Sequence, residues 1–289
     1  RLLTYAGATY TYTAGGDLRT KTDASGTTTY TYDLQGNLKR VDLPGGDVLE
    51  YLVDAQSRRV ARKLNGAFTH KWVYEDQLRP VAELDGAGNL VSVFVYSTQN
   101  PGGAPDAILR GGVTYRVVKD HLGSPRVIVN ETSSAVVQRM DFDAWGNVLA
   151  DTNPGWQPFG FAGGFWDASS ALIRLGARDY TPMVGRWSTQ DPFRFRGLDT
   201  NYYGYVSSDP QNGRDPSGMI REPTACKLDP KWCDRSANVC SRYCIRMNPS
   251  RCDSGCQLTE ACLERKCVPA PSDRSECTKA AETAEIRCP

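Results

Sequence analysis

The stretch YTYDLQGNL, residues 30–38, decides the fold of this chain. Its first three residues alternate in type, and an alternation of period two places every second side chain on the same face of a strand. The Asp33-Leu-Gln-Gly36 segment then supplies a type I turn in which glycine takes the position with positive φ. The stretch therefore predicts a β-hairpin.

Related stretches recur along the first hundred residues. Tyr10, Tyr30, Tyr51 and Trp72 each mark one copy, at a spacing of 20 or 21 residues. A single hairpin is marginally stable in water, so stacked copies have to share one sheet. An ordinary antiparallel sheet protein is the alternative, but the regular spacing favours a repeat.

Longer motifs follow the repeats. Residues 120–126 read DHLGSPR, residues 141–149 read DFDAWGNVL, and residues 159–219 form one Gly-, Pro- and Asp-punctuated stretch that ends in DPSGM. Residues 30–38 resemble the YD repeat of Rhs and teneurin proteins, and the later motifs resemble the Rhs-associated core of that family. The resemblance covers about residues 10–219.

The resemblance implies a mainly β fold, in which an antiparallel strip of YD-repeat hairpins forms the end of a hollow β-shell. In such proteins the core closes one end of the shell, and the variable segment behind it is the cargo. We therefore expect YD-repeat hairpins over residues 1–110, the Rhs-associated core with the shell plug over 111–219, and a cysteine-rich cargo over 220–289. A whole shell needs many more hairpins, and the chain opens with Arg1 rather than Met, so we expect a C-terminal part of a longer protein.

Two Gly/Pro-rich segments, residues 97–110 and 150–160, predict loops between hairpins. Of the two histidines, His70 lies in an alternating strand with no second ligand nearby and is expected to be incidental, whereas His121 in the 120–126 motif is expected to be structural. No histidine lies beyond His121, which excludes a Ser-His-Asp triad, a Cys-His pair or an HNH-type centre made by the later residues alone.

The stretch 159–219 also contains candidate catalytic carboxylates. Asp179 and Asp191 lie twelve positions apart, on either side of the turn-forming residues 181–186. If this segment reverses, the two carboxylates can approach, and a close pair can divide acid and base roles as in aspartic proteases. The neighbouring Arg178 can fix one of them in its ionised form. The alternative is that Asp179 caps a turn and Asp191 simply precedes a proline.

The family resemblance gives these residues a role. In Rhs-type proteins, including the C component of Tc toxins, the matching Arg-Asp pair and the later Asp cut the chain just after the core. The resemblance thus implies intramolecular aspartyl autoproteolysis by Arg178, Asp179 and Asp191 at the Met219–Ile220 bond. Two departures from the family pattern, Thr181 and the Ser207-Ser208 pair, leave these three positions unchanged.

The last seventy residues have a different composition. All ten cysteines lie there, at Cys226, Cys233, Cys240, Cys244, Cys252, Cys256, Cys262, Cys267, Cys277 and Cys288. Such a segment has too few large apolar side chains for a normal core, and an even count suits five disulfides. A zinc cluster and free thiols are the alternatives, although the segment has neither histidine nor a Cys-x2-Cys pair.

The cysteine spacing also favours a small helical module. Cys240 and Cys244, like Cys252 and Cys256, are one helical turn apart, and two antiparallel helices could pair Cys240 with Cys256 and Cys244 with Cys252. Disulfides indicate an oxidising destination, so we expect a secreted, extracellular or cell-surface protein.

Two functions follow as hypotheses. The first is a toxin-delivery protein whose shell encloses and, by self-cleavage, releases the cysteine-rich effector. The second is a secreted or cell-surface YD-repeat structural or adhesion protein with a cysteine-rich binding module and no cleavage. Expected partners are the rest of the shell, a secretion apparatus, a cognate immunity protein and an undefined target-cell component. A net charge of +1 argues against nucleic acid, and we expect no metal or other cofactor.

Overall fold

The computed structural model describes residues 1–97, 103–192, 201–219 and 222–223. The chain falls into two units, Arg1–Glu222 and Pro223–Pro289, and all described residues except Pro223 belong to the first. The cysteines and the predicted helical module lie outside the described residues. The predicted three-part division of the chain stays a prediction.

A single antiparallel sheet of 15 strands runs through the first unit, in the order β1 to β15, so that every strand pairs with its neighbours in sequence. We call this sheet the strip. Its strands are β1 Thr4–Tyr5, β2 Ala8–Tyr12, β3 Leu18–Asp23, β4 Gly26–Tyr32, β5 Leu38–Asp42, β6 Val48–Val53, β7 Arg59–Leu64, β8 Ala67–Tyr74, β9 Pro80–Asp85, β10 Leu90–Val95, β11 Ala107–Arg110, β12 Val113–Lys119, β13 Pro125–Asn130, β14 Val136–Phe142 and β15 Val148–Asp151. This mainly antiparallel β architecture confirms the predicted hairpin strip.

The turn chemistry of residues 30–38 is the predicted one. The Oδ1 atom of Asp33 accepts the backbone N–H groups of Gln35 and Asn37, both at 2.9 Å. Gly36 sits at φ +81°, where a side chain would be strained. The pairing register shifts between Thr31 and Tyr32, which is the bulge expected beside such a turn. We say that an aspartate clamps a turn when its carboxylate accepts two backbone N–H groups in this way. Four further turns are clamped, by Asp54, Asp85, Asp120 and Asp143.

One face of the strip carries a row of buried aromatic side chains from alternate strands. These side chains are Tyr10, Tyr30, Tyr51, Trp72 and Phe94. Because successive residues of a strand point to opposite faces, the neighbouring threonines lie on the exposed face, where Thr11 and Thr20 bond each other at 2.6 Å. The repeat spacing therefore builds a continuous apolar surface on one side.

We call residues 159–219 the core segment, and several of its described residues, such as Phe159, Phe165 and Leu172, pack on that surface. The four-stranded antiparallel sheet of the core segment has the order β16 Phe165–Asp167, β17 Leu172–Leu175, β18 Arg178–Thr181 and β19 Arg186–Trp187. Short 3-10 turns occupy Phe161–Gly163, Pro182–Val184 and Val206–Ser208, and two further strands are β20 Gly213–Arg214 and β21 Glu222–Pro223.

Hydrogen bonds join the core segment to both ends of the strip. Tyr203 Oη donates to the Gly16 carbonyl at 2.6 Å, and Ser124 Oγ accepts the Ala162 N–H at 2.9 Å. His121 Nε2 lies 2.6 Å from the Gln211 carbonyl oxygen. The core segment is thus anchored to strip residues far apart in sequence.

The two predicted loops are shorter than expected. Residues 107–110 of the first form strand β11, in which Ile108 is buried between β10 and β12. The glycines and prolines end at Pro105, so the apolar residues behind them were free to join the sheet. Strand β15 likewise extends to Asp151, inside the second predicted loop. The described residues contain no helix of the length and apolarity that a membrane span requires.

Candidate functional site

Strand β18 places Arg178 in the interior of the core segment. The side chain is about 5% exposed, and its guanidinium carbon lies 4.2 Å from the centroid of the Trp187 ring. Burial lowers the pKa of Arg178, and the carboxylates of Asp215 and Asp191 counteract this by stabilising the cation. A cation held on an aromatic face and between carboxylates has little freedom to move.

Arg178 connects two aspartates with the end of the core segment. Its Nη2 atom lies 3.3 Å from Asp191 Oδ2 and 3.5 Å from Asp215 Oδ2. Its Nε donates to the carbonyl oxygen of Gly218. We call Arg178, Asp191 and Asp215 the acid cluster.

The residues DPSGM, 215–219, form a tight turn around one carboxylate. Asp215 Oδ1 accepts the Ser217 hydroxyl at 2.9 Å and the Met219 N–H at 3.1 Å. Ser217 Oγ also accepts the Met219 N–H at 3.1 Å. The amide nitrogen of the residue before the predicted cleavage point is therefore held by the same aspartate that contacts Arg178.

Two glycines let this turn lie directly on the β17–β18 hairpin. Gly176 has φ +49°, and a Cβ there would overlap the Ser217 carbonyl. Gly218 has φ +65°, and a Cβ there would overlap the Leu175 carbonyl. The backbones meet closely enough for the Ala177 N–H to donate to the Ser217 oxygen at 2.9 Å. Such contacts require glycine at both positions.

Asp179 has different partners. It is 1% exposed, and its Oδ1 accepts from Arg59 Nη2 while its Oδ2 accepts from Arg174 Nη1, both at 2.8 Å. Adjacent residues of a strand point to opposite faces, so Asp179 and Arg178 face different sides of β18. The structure thus brings Arg178 and Asp191 together, with Asp215 as the second carboxylate, while Asp179 is occupied by two other arginines.

Three contributors were absent from the sequence-based site. Asp215 begins the DPSGM motif, which was interpreted only as the end of a product. Arg59 carries no local signal, since it reaches Asp179 across 120 positions, whereas Arg174 lies only five positions before Asp179 and directly opposite it in the β17–β18 hairpin. The catalytic roles predicted for Arg178, Asp179 and Asp191 stay predictions.

The predicted cleavage point is only partly visible. Met219 is half-buried, whereas Ile220 and all ten cysteines lie outside the described residues. Over the part of the chain that the structure describes, no three His, Cys, Asp or Glu side chains group as metal ligands do.

Together, the hairpin strip and the docked core segment define a YD-repeat shell architecture. The comparisons with known proteins agree: the Teneurin YD-shell family matches residues 1–210, and the chain belongs to this family. It is accordingly an Rhs/YD-repeat protein, as the motifs predicted.

Relatives come from animals and bacteria. Double-stranded DNA deaminase toxin A of Burkholderia cenocepacia (strain H111) is 31% identical over 76% of this chain and 17% of its own length. Teneurin-1 of Gallus gallus is 25% identical over 64% of this chain and 8% of its own. The tRNA nuclease WapA of Bacillus subtilis (strain 168) is 27% identical over 68% of this chain and 8% of its own. The chain therefore spans less than a fifth of the length of these relatives.

A solved structure shares the fold. The crystal structure of TcdB2-TccC3 superposes with a TM-score of 0.50, at 16% identity, over 73% of this chain and 14% of that one.

Proposed function

We propose that this chain is the C-terminal part of an Rhs-family toxin-delivery protein that cuts itself after Met219 and releases the cysteine-rich segment 220–289. The observation that carries the proposal is the acid cluster, in which two aspartates share one guanidinium at the carbonyl of Gly218. This carbonyl lies one residue before the bond to be cut.

The chemistry is hydrolysis of one peptide bond. One carboxylate of the acid cluster takes a proton from a water molecule, whose oxygen attacks the Met219 carbonyl carbon. The other carboxyl group gives a proton to the departing Ile220 nitrogen as the C–N bond breaks. One water is consumed, and the products carry a new carboxylate at Met219 and a new amino group at Ile220.

The acid cluster contains the groups that these two proton transfers require. Two carboxylates in contact with the same guanidinium can take the two roles, one as proton acceptor and the other as proton donor. Asp215 additionally orients the substrate segment by holding the Met219 N–H, and Arg178 fixes the Gly218 carbonyl. Immobilising the bond beside its acid and base removes much of the entropic cost of the reaction.

The relatives support a toxin shell. Of the two bacterial relatives, one is named a DNA deaminase toxin and the other a tRNA nuclease, so shells of this family accompany different activities. By analogy, the partners of this chain are the rest of its shell, a secretion apparatus and an immunity protein, and its destination is secreted or extracellular. Segment 220–289 is the effector, and the target-cell component on which it acts is undefined.

A second candidate rests on the teneurin relatives. Their similarity to this chain supports a secreted or cell-surface structural or adhesion protein with a cysteine-rich binding module. Such a module has no use for a release step. Cleavage therefore distinguishes the two functions.

The test is the intact mass of the purified parent protein under non-reducing conditions. We expect a separate fragment that begins at Ile220, with the cysteines oxidised, and we expect Asp191→Asn to abolish it. Asp209→Asn is the matched control, because Asp209 lies in the same segment but contacts Asn212. A fragment that persists in Asp191→Asn, or an uncut wild-type chain, contradicts the proposal.

A further inference from the structure

Asp179 lies at the junction of the strip and the core segment, and its contacts differ from those of a proton-transfer group. Both carboxylate oxygens accept from guanidinium nitrogens, Arg59 on β7 and Arg174 on β17. All three side chains are at most 3% exposed. A carboxylate with both oxygens engaged by charged donors is well suited to hold structure and poorly suited to pass a proton.

Arg59 is fixed by the strip. Its guanidinium carbon lies 3.6 Å from the centroid of the Tyr51 ring, and its carbonyl oxygen accepts the Tyr74 hydroxyl at 3.0 Å. Strands β6 and β8 therefore hold Arg59 from both sides. Its charge is presented to Asp179 only when these strands are paired with β7.

Arg174 contacts two hairpin turns of the strip. Its Nη2 donates to Asn37 Oδ1 at 3.0 Å and to the Ser57 carbonyl at 2.8 Å. Asn37 ends the turn that Asp33 clamps, and Ser57 lies in the turn that Asp54 clamps. Through Arg174, Asp179 is thus tied to two successive copies of the repeat.

The same strand carries one member of the acid cluster, Arg178, on its other face. Arg178 precedes Asp179 by one peptide unit, so the place at which Asp179 is held also sets the place of the Arg178 guanidinium. Displacing a reacting group by about 1 Å can cost about 100-fold in rate. The contacts of Asp179 with the strip therefore affect the position of Arg178 in the acid cluster.

We propose that Asp179, Arg59 and Arg174 are positioning residues, and that they make self-cleavage conditional on closure of the strip hairpins at Asp33 and Asp54. The proposal rests on the proposed self-cleavage. In this arrangement a chain whose strip is still open has no aligned acid cluster and stays uncut. Release of segment 220–289 then follows shell closure.

The test follows cleavage of the full parent chain by pulse-labelled expression, as the fraction that yields a fragment beginning at Ile220 over time. We expect Arg59→Gln and Asp179→Asn each to slow cleavage at least about tenfold. We expect the double variant, Arg59→Gln with Asp179→Asn, to be faster than Asp179→Asn alone, because it leaves one buried guanidinium, that of Arg174, without its carboxylate instead of two. Arg59→Lys, which keeps the charge, should recover part of the rate.

Arg62→Gln is the matched control. Arg62 also joins the strip to the core segment, through Asp167 on β16 at 2.7 Å, but it does not contact β18. We expect it to lower thermal stability and leave the cleavage rate of the folded chain unchanged. If Arg62→Gln slows self-cleavage as much as Arg59→Gln does, general destabilisation explains both effects. The inference would then be wrong.

The remaining outcomes separate this inference from the proposed function. If the wild-type chain is cut but Arg59→Gln is cut at the same rate, the positioning role is wrong and self-cleavage stands. If Asp179→Asn is uncut and the double variant is equally uncut, Asp179 acts in the chemistry itself. If the wild-type chain yields no fragment at Ile220, the proposed function is wrong and the inference falls with it.

Discussion

Nη2 of Arg178, on strand β18, lies 3.3 Å from Oδ2 of Asp191, which follows strand β19. The same nitrogen lies 3.5 Å from Oδ2 of Asp215, and Nε of the same side chain donates to the carbonyl oxygen of Gly218. One planar guanidinium thus spans three groups, a geometry that the single ammonium of a lysine cannot reproduce.

Replacement of Arg178 by lysine tests this geometry. We expect Arg178→Lys to slow self-cleavage at least about tenfold, because a lysine keeps the charge but cannot align two carboxylates and a carbonyl together. The measurement is the yield of the fragment that begins at Ile220. Arg186→Lys, on the next strand, is the control and should be cut at the wild-type rate; equal rates for both variants and the wild type would exclude the bridging role.

A methyl group at Gly218 tests the docking of the 215–219 turn. In Gly218→Ala the new Cβ overlaps the Leu175 carbonyl, so the turn has to move away from the hairpin. We expect cleavage to be lost while the circular dichroism of the strip is kept. Gly36→Ala is the control: Gly36 also has positive φ, but its Cβ would meet nothing within 4 Å. It should cost only about 1 kcal/mol of stability, and loss of cleavage there too would undermine the docking argument.

Glu83 makes the stability of the strip depend on pH. The residue is 4% exposed on β9, and burial raises its pKa from 4.5 to about 7, although Arg110 and Trp72 counteract part of the shift. The folded state therefore favours the protonated form. That stabilisation is complete below pH 4.5 and is lost as the pH rises through 7, by up to about 3 kcal/mol.

Glu83→Gln should remove this dependence, since glutamine is neutral at every pH. We expect its melting temperature to exceed that of the wild type by several degrees at pH 8 and to match it at pH 4. Thermal unfolding at the two pH values measures this. The exposed Glu75→Gln is the control, and an equal gain at both pH values in Glu83→Gln would argue against titration as the cause.

The turn at Val206–Ser208 is a site of backbone strain. Val206, Ser207 and Ser208 have φ of +42°, +57° and +63°, a left-handed run that side chains disfavour. We expect Ser207→Gly to stabilise the protein by about 0.5–1 kcal/mol, because glycine adopts this conformation without strain. Denaturant unfolding checks the sign. Ala14→Gly, at an exposed turn position with ordinary φ, should lose stability instead; a loss in both variants would mean that the run is not strained.

Much of the strip followed from the sequence because its determinants are local. The Asp-x-x-Gly turns carry their own hydrogen-bond acceptors, and period-two alternation fixes which side chains face inward. The turn at Leu43-Pro44-Gly45-Gly46 lacks the aspartate and was not predicted, although it has the same backbone pattern, with Leu43 N–H donating to Asp47 O and Gly46 N–H to Leu43 O. In that turn proline and glycine favour the backbone geometry without the aspartate, with Gly46 at φ +92°.

The site was predicted less completely, for a physical reason. The sequence placed Arg178 and Asp191 near one turn, and the structure brings them into contact. Asp179 faces the other way because residues 178–181 form a strand, in which neighbouring side chains point to opposite faces, and the sequence analysis did not assign a strand there. Nor could it reveal Arg59 as a partner of Asp179, since Arg59 belongs to another sheet and is distant in sequence; Arg174 becomes recognisable only once the register of the β17–β18 hairpin is known.

The strictly sequential order of the 15 strands affects how the protein is made. Each strand can pair with its predecessor as soon as it has itself left the ribosome, so the strip has a low contact order and can assemble during translation. The core segment follows the strip, because it is synthesised later and its bonds reach back to Gly16, Asn37 and Arg59. During synthesis the strip therefore forms first, and the residues proposed to cut the chain come together last.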